Sequence, residues 1–254
     1  METPQHCLLL ISMDNEVGRQ RRARSNWAPS VLIRGATGAE APEAFRQRFR
    51  FMHTARPETR EGIVGCAWSH VLALRRIVED GLENVIILED DAVLRQRGRL
   101  PAPVDLPTDE AVYFGGCMRT PGPWASQRRD FPEALEAELW SRLKPGLNPV
   151  QDFSVAGSEA LFVPNSGVAR QLLGPLEDPA VRLLHLDLFR RKHRQVRLLW
   201  FPNCFAADDP VASQVEGRPL LRDLYAGGPR KIAARREAFH KAAPFKSDAV
   251  VNGG

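Results

Sequence analysis

The chain has 254 residues, of which 43% are hydrophobic and 26% charged, a composition ordinary for a soluble globular protein. The length suits one α/β domain of enzyme size, or at most a domain with a small appendage. Its four cysteines are widely spaced and form no CxxC pair, which argues against a zinc site and a disulfide framework. No signal peptide or membrane-spanning run is visible, so the expected location is the cytoplasm, free or peripheral to a membrane, and the host's cytoplasm for a viral chain. The net charge of +4 favours anionic partners without choosing among nucleotide sugars, phosphorylated acceptors and nucleic acid.

The first predicted strand is the apolar run at residues 6–12, and Asp14 follows it in a turn. Asp14 is either a site residue or a cap of the next segment. A cluster of arginines comes next, which either meets a diphosphate or forms a solvated face, the more common role of a basic run. A second strand at 30–33 and a helix over 39–51 follow. The arginines are Arg19, Arg21, Arg22 and Arg24.

The most informative stretch runs from residue 65 to residue 94. Apolar residues three and four apart predict a helix that ends at Gly81, with Ser69 and His70 in its first turn. The apolar run 85–88 then predicts a strand buried on both faces. Three acids follow directly. Adjacent carboxylates repel one another and are costly to bury, so a bound cation would stabilise them. A solvated acidic turn is the alternative. The acids are Glu89, Asp90 and Asp91.

The second half of the chain alternates apolar strands with helical segments. The strand predicted at 111–114 closes on Gly115 and Gly116, which form either a simple turn or a place where substrate approaches the backbone. Asp187 lies among leucines in a segment followed by the basic run 190–194, predicted to be a solvated helix end. Further strands are predicted at 158–163 and 196–201, helices at 131–143, 167–173 and 228–241, and a loop at 117–130.

The order of these features resembles glycosyltransferase family 25, which includes lipooligosaccharide and collagen galactosyltransferases. The resemblance rests on Gly-Cys-x-x-Ser-His, an amphipathic helix, an apolar strand and Glu-Asp-Asp. Two departures stand out: Ile63 occupies a position where the family has Glu, and the first strand's ending keeps Asp14 without the family's Asn and Arg. The matching residues are Gly65, Cys66, Ser69, His70, Leu88, Glu89, Asp90 and Asp91.

The resemblance implies a GT-A-like α/β fold, with a mixed, mostly parallel sheet flanked by helices in one domain at 1–241 and a flexible tail at 242–254. It implies a hexosyltransferase (EC 2.4 class) that moves galactose from UDP-galactose to a hydroxyl of a glycan, lipooligosaccharide or protein, with inversion. A general base takes the acceptor proton in such a reaction, and a divalent ion neutralises the leaving diphosphate. The resemblance places Asp187 as the base, Asp91 and Glu89 at Mn²⁺ or Mg²⁺, and Asp14, Ser69, His70, Glu89, Asp90, Gly115 and Gly116 at the donor.

The sequence also leaves three alternative functions open. Ile63 and the altered strand ending suggest a family member that kept the fold, lost transfer and acts as a binding or scaffold protein. A nucleotidyltransferase would need a glycine-rich phosphate loop, and none precedes the acids. A nucleic-acid-binding protein is least favoured, because the few aromatic residues do not interleave with the arginine clusters, so no nucleic-acid partner is expected.

Overall fold

A computed structural model of the chain describes residues 5–24, 27–49, 57–94, 100–115, 117–119, 143–149, 154–156, 160–201 and 204–207. The helices are α1 (Glu16–Arg24), α2 (Glu43–Arg46), α3 (Pro57–Asp80), α4 (Ser166–Glu177) and α5 (Leu186–Lys192). The strands are β1 (Cys7–Ser12), β2 (Val31–Arg34), β3 (Val85–Glu89), β4 (Ala92–Leu94), β5 (Ala111–Tyr113), β6 (Cys117–Arg119), β7 (Gly146–Pro149), β8 (Ser154–Ala156), β9 (Ala160–Val163), β10 (Val196–Phe201) and β11 (Phe205–Ala207).

Seven strands form one sheet in the order β2-β1-β3-β9-β5-β10-β7. Strand β1 is parallel to both β2 and β3, and β5 is parallel to β10. Strand β9 runs antiparallel to β3 and β5, and β7 runs antiparallel to β10. Five strands therefore point the same way, which confirms the predicted mixed, mostly parallel α/β sheet. The carboxyl ends of β1, β3 and β5 lie at one edge, where open α/β sheets bind their ligands.

The central strands are covered on both faces. Alternate residues of β1 and β3 enter two different cores, because successive side chains of a strand point to opposite faces. Leu9 and Ile87 join the apolar side chains of α3, α4 and α5, whereas Leu10 and Ile86 join a second core with Phe114. All four apolar residues of β3 are fully buried, as the continuous apolar run predicted.

Helix α3 begins at Pro57, eight residues before Gly65. Ser69 and His70 therefore lie in the middle of a 24-residue helix, and the prediction that they occupy its first turn was wrong. The first residues of α3 are Pro-Glu-Thr-Arg-Glu, which have no apolar face and so gave no periodic signal. Proline at the first helical position was the available start signal, since its missing N–H would be unpaired there anyway.

Some of the other predicted elements were confirmed and others were wrong. The strands predicted at 6–12, 30–33, 85–88, 111–114, 158–163 and 196–201 and the helix at 167–173 are present, with shifted ends. Of the helix predicted over 39–51, the described residues 39–49 contain α2 and part of the 3-10 turn Gly38–Glu40. Phe45 and Phe49 are nevertheless buried, one in this short helix and one after it. The loop prediction was wrong at 117–119, which pair with β8 as β6. Residues 131–142 and 228–241, predicted helices, and the tail at 242–254 lie outside the described residues.

None of the helices in the described ranges combines the length and the apolar composition needed to cross a bilayer.

Candidate functional site

The four residues of the Gly-Cys-x-x-Ser-His motif divide into two pairs on adjacent faces of α3. Residues four apart on a helix are neighbours on its surface, so Gly65 stands beside Ser69 and Cys66 beside His70. The first pair meets the loop after β2, and the second meets Glu89 at the end of β3. The motif thus fixes the helix with one pair and forms the site with the other.

Gly65 and Ser69 hold α3 against the backbone after β2. A Cβ at Gly65 would lie 2.5 Å from the Ala36 carbonyl oxygen, closer than side-chain carbons approach backbone. The Ser69 hydroxyl accepts a hydrogen bond from the Ala36 N–H (2.8 Å) and donates one to the Gly65 carbonyl (2.7 Å). Ser69 is buried, and these two hydrogen bonds connect helix α3 to the loop after β2. Its predicted place at the donor stays a prediction.

Cys66 and His70 converge on one carboxylate. His70 Nε2 lies 3.1 Å from Glu89 Oε1, and the Cys66 thiol lies 3.9 Å from the same oxygen. On the far side of the ring, Arg190 Nη2 lies 3.1 Å from His70 Nδ1. A guanidinium only donates hydrogen bonds, so Nδ1 accepts, and the ring proton resides on Nε2 and is donated to Glu89.

Cys66, His70 and Glu89 are also a group whose ligand atoms lie within 4.8 Å of one another. Thiolate, imidazole and carboxylate together suit zinc rather than Mn²⁺ or Mg²⁺, which prefer oxygen. A metal bound at Nε2 needs the ring proton on Nδ1, where the Arg190 N–H already points. The hydrogen-bonded arrangement therefore opposes metal binding by His70.

Asp90 ties three elements together. Its carboxylate accepts hydrogen bonds from the Ser12 hydroxyl (3.0 Å) and the Met13 N–H (3.4 Å) and pairs with Arg21 at 2.8 Å. Arg21 and Asp90 are both buried, at 5% and 7% exposure. Asp90 thus joins the ends of β1 and β3 to α1. Its predicted contact with the donor remains a prediction.

Asp91 is the acid whose carboxylate is left partly unsatisfied. Its Oδ1 is buried and makes no hydrogen bond within the described part of the chain. Burial, together with the neighbouring Glu89 carboxylate, raises the pKa of Asp91 to about 7. A buried carboxylate oxygen without a donor is costly, and a bound cation is one way to satisfy it.

Asp14 is exposed at the same edge of the sheet, just after β1. The alternative that Asp14 caps the next segment was wrong, because the cap of α1 is Asn15, whose side chain accepts the Gly18 N–H at 2.8 Å. Arg22 donates to the Ser12 hydroxyl (2.5 Å) and to the Met13 carbonyl (3.2 Å). One arginine of the basic run thus braces the end of β1.

The remaining predicted site residues are described only in part. Gly115 is buried after β5, where its N–H donates to the Ala160 carbonyl at 3.3 Å. Gly116 and the side chain of Asp187 lie outside what the structure describes. The backbone of Asp187 is in α5, one turn before Arg190.

Two buried arginines beside the three acids were not predicted from the sequence. Arg190 is fully buried, so the prediction of a solvated helix end at 190–194 was wrong for its first residue, although Lys192 and Arg194 are exposed. Arg21 is buried, within a run for which a solvated face was the more common of the two roles considered. The only signal was charge balance: three buried or half-buried acids at one strand end call for cations nearby.

A surface cleft lined by His193, Gln195 and Arg197 lies at the opposite edge of the sheet, by the amino ends of β5 and β10. It is separate from the cluster around Glu89.

The segment that carries the Gly-Cys-x-x-Ser-His motif and the three acids matches a known protein family. Residues 9–102 match the model of glycosyltransferase family 25, described as LPS biosynthesis protein. Over this segment, hereafter the family 25 segment, the chain is similar to glycosyltransferase family 25. The match runs from β1 past β4 and contains the Gly-Cys-x-x-Ser-His motif, α3, β3 and the three acids. No curated protein matches the chain.

The match to the family 25 model indicates a glycosyltransferase, which takes a sugar from a nucleotide-sugar donor to a glycan-type acceptor. The family 25 segment carries both halves of the motif and all three acids. Arg190 and Asp187 lie outside it in sequence, and the fold brings Arg190 back to it.

Proposed function

We propose that the chain is a metal-dependent hexosyltransferase that transfers galactose from UDP-galactose to an acceptor hydroxyl with inversion. The observation that carries the proposal is Asp91, whose carboxylate oxygen Oδ1 is buried and has no hydrogen-bond partner among the described residues. Asp91 lies near Glu89 at the carboxyl end of a central strand of the family 25 segment. This is the sheet edge where α/β proteins bind nucleotides.

The residues fit a hard divalent cation. Mn²⁺ and Mg²⁺ take oxygen ligands and are commonly held by one or two carboxylates together with substrate phosphates. Asp91 would hold the ion with its unsatisfied oxygen, and Glu89 would assist. Such an ion neutralises charge on a departing diphosphate.

The chain's own residues have distinct parts in this proposal. His70 donates to Glu89 and orients that carboxylate. Asp90, held by Arg21 and by the end of β1, keeps the Asp14 side of the donor site next to the acids. Asp187 takes the proton from the acceptor hydroxyl as the new bond forms, as a general base within hydrogen-bond reach does.

The test is thermal unfolding with UDP, GDP, ADP and CDP, each with and without Mn²⁺. A ligand that binds only the folded state stabilises by mass action, about 2.7 kcal/mol at a concentration 100 times its Kd. For a chain of this size that corresponds to a rise in Tm of about 5–10 °C. The rise is expected for UDP with Mn²⁺ and is expected to be lost in Asp91→Asn. Asp109→Asn, an exposed acid by the opposite edge of the sheet, is the matched control and should keep the full rise.

Absence of a shift with every nucleotide, or an equal shift in Asp91→Asn, would overturn the proposed donor site.

A second candidate is a family member that binds the nucleotide without transferring sugar. Ile63 favours it, since it stands three residues before Cys66 and seven before His70, on the helix face of the site, where the family has Glu. The side chain of Ile63 packs against the apolar core. Hydrolysis of UDP-galactose by the wild type, absent in Asp91→Asn, would exclude this candidate. A UDP shift without turnover on any sugar nucleotide would favour it.

A further inference from the structure

Arg190 is a buried cation whose placement requires an explanation. It lies in α5, which packs against α3, and its side chain is fully buried while Lys192 and Arg194 in the same basic run are exposed. Burying a guanidinium is costly unless its N–H groups find acceptors. One acceptor is unusual, because it is the Nδ1 of His70 rather than a carboxylate or a carbonyl.

The contact orders a chain of three groups. The Arg190 N–H points at Nδ1 of His70, so that nitrogen carries a lone pair, and Nε2 carries the ring proton and donates it to Glu89 Oε1. Each group thus donates a hydrogen bond to the next, from Arg190 in α5 to His70 in α3 and from His70 to Glu89 at the end of β3.

We propose that Arg190 is a positioning residue that fixes the tautomer of His70 and so keeps Cys66, His70 and Glu89 from closing on a zinc-like ion. A metal at Nε2 requires the proton to move to Nδ1, and the Arg190 N–H occupies that position. Glu89 then stays hydrogen-bonded and oriented at the strand end. That Glu89 serves a hard cation there rests on the proposed function; the control of the tautomer does not.

A merely structural Arg190 makes a different prediction. If it only fills space and offsets charge, its removal lowers stability and leaves the metal preference of the cluster unchanged. If it controls the tautomer, its removal frees Nδ1 for the ring proton, and the thiol, imidazole and carboxylate within 4.8 Å become a zinc-type ligand set.

The experiment uses Co²⁺ alone, since a Co²⁺–thiolate bond gives a charge-transfer absorption that oxygen ligands do not. No such band is expected for the wild type. A band is expected for Arg190→Met, which keeps the volume and lacks donors, and for Arg190→Gln, whose amide oxygen can accept a proton from Nδ1. No band is expected for Arg190→Lys, which keeps a cationic donor. Because the Co²⁺ spectra need no nucleotide, their outcome is distinct from that of the UDP test.

Two controls complete the design. Cys66→Ser combined with Arg190→Met should abolish the band, which assigns it to Cys66. Arg48→Met removes another buried arginine, one that donates to the carbonyls of Leu176 and Pro175 at the end of α4, and should lower stability without producing a band.

Two results would overturn the proposal. One is a thiolate band in the wild type equal to that of Arg190→Met; the other is its absence from whichever of Arg190→Met and Arg190→Gln folds. If neither folds, ¹⁵N spectra of the wild type decide, with the His70 signal assigned by its loss in His70→Asn. A proton on Nε2 with a bare, hydrogen-bonded Nδ1 supports the proposal, and a proton on Nδ1 overturns it.

Discussion

Three consecutive acids at the end of β3 lie in three different surroundings. Glu89, the last residue of the strand, faces α3 and meets His70. Asp90 points to β1 and α1, where Arg21 and Ser12 bind it. Asp91, the second residue of the turn into β4, buries an oxygen without a donor among the described residues. Burial and the nearby Glu89 carboxylate oppose ionisation of Asp91, whose pKa is raised to about 7.

Asp91→Asn is expected to stabilise the metal-free protein at high pH. The pKa of Asp91 in the folded protein, about 7, lies above the ordinary value of 3.8. Between those values the folded state holds a proton that the unfolded state has released, so stability falls as the pH rises, and the full penalty is present above about pH 7. The variant should therefore be more stable than the wild type at about pH 8, by up to about 4 kcal/mol, and nearly equal at about pH 4. Urea unfolding with a chelator present measures the difference.

Asp90→Asn is the matched comparison and should behave in the opposite way. Removing its charge takes away the buried ion pair between Asp90 and Arg21, at a cost of about 3–5 kcal/mol at about pH 8. A wild type more stable than Asp91→Asn at that pH would contradict the surroundings described for Asp91.

At the scale of elements, α3 is held so close to the loop after β2 that the helix has no room for a side chain at Gly65. The 3-10 turn Gly38–Glu40 packs against the same turns of α3, and a Cβ at Gly38 would lie 2.5 Å from the Glu61 carbonyl oxygen. Two glycines, one on each side, thus permit backbone to pack against backbone. The consequence is that Cys66 and His70, one residue further along, reach Glu89.

Gly65→Ala is expected to lower the free energy of unfolding by about 1–3 kcal/mol, because the new methyl group would meet the Ala36 carbonyl and backbone must shift. Chemical denaturation measures the loss. Gly174→Ala in α4 is the control, since a Cβ there meets no atom within 4 Å. Its change should stay within about 1 kcal/mol, with Pro175 limiting any gain in helix propensity. Equal losses in the two variants would show that Gly65 is not a close-contact position.

At the scale of the molecule, the family 25 segment is not a self-contained half of the sheet. Strand β3 pairs with β1 on one side and with β9, from Ala160 to Val163, on the other. Strand β9 also pairs with β5, so residues far beyond the matched segment complete its core. The site also depends on residues beyond the matched segment, since Arg190, which contacts His70, lies 120 residues further along the chain.

A fragment of residues 1–102 is therefore expected not to fold cooperatively. It would leave β3, whose apolar residues are fully buried in the whole chain, as an open edge with an uncovered core. Circular dichroism should show no sharp thermal transition for the fragment alone. Adding residues 103–254 as a second fragment should restore one. A cooperative melt of the first fragment by itself would contradict this account of the core.

The amino-acid sequence by itself determined the α/β class, most strands of the sheet, the family 25 segment and the residues of its motif. Those features are local: a strand buried on both faces must be apolar throughout, and a motif is read along the chain. Only the tertiary structure decided that Gly65 and Ser69 secure α3 while Cys66 and His70 meet Glu89, and that Asp90 is paired while Asp91 is not. It alone placed Arg190 on His70, because a contact between residues 120 positions apart depends on how β9, α4 and α5 return to the sheet, and no periodicity records that path.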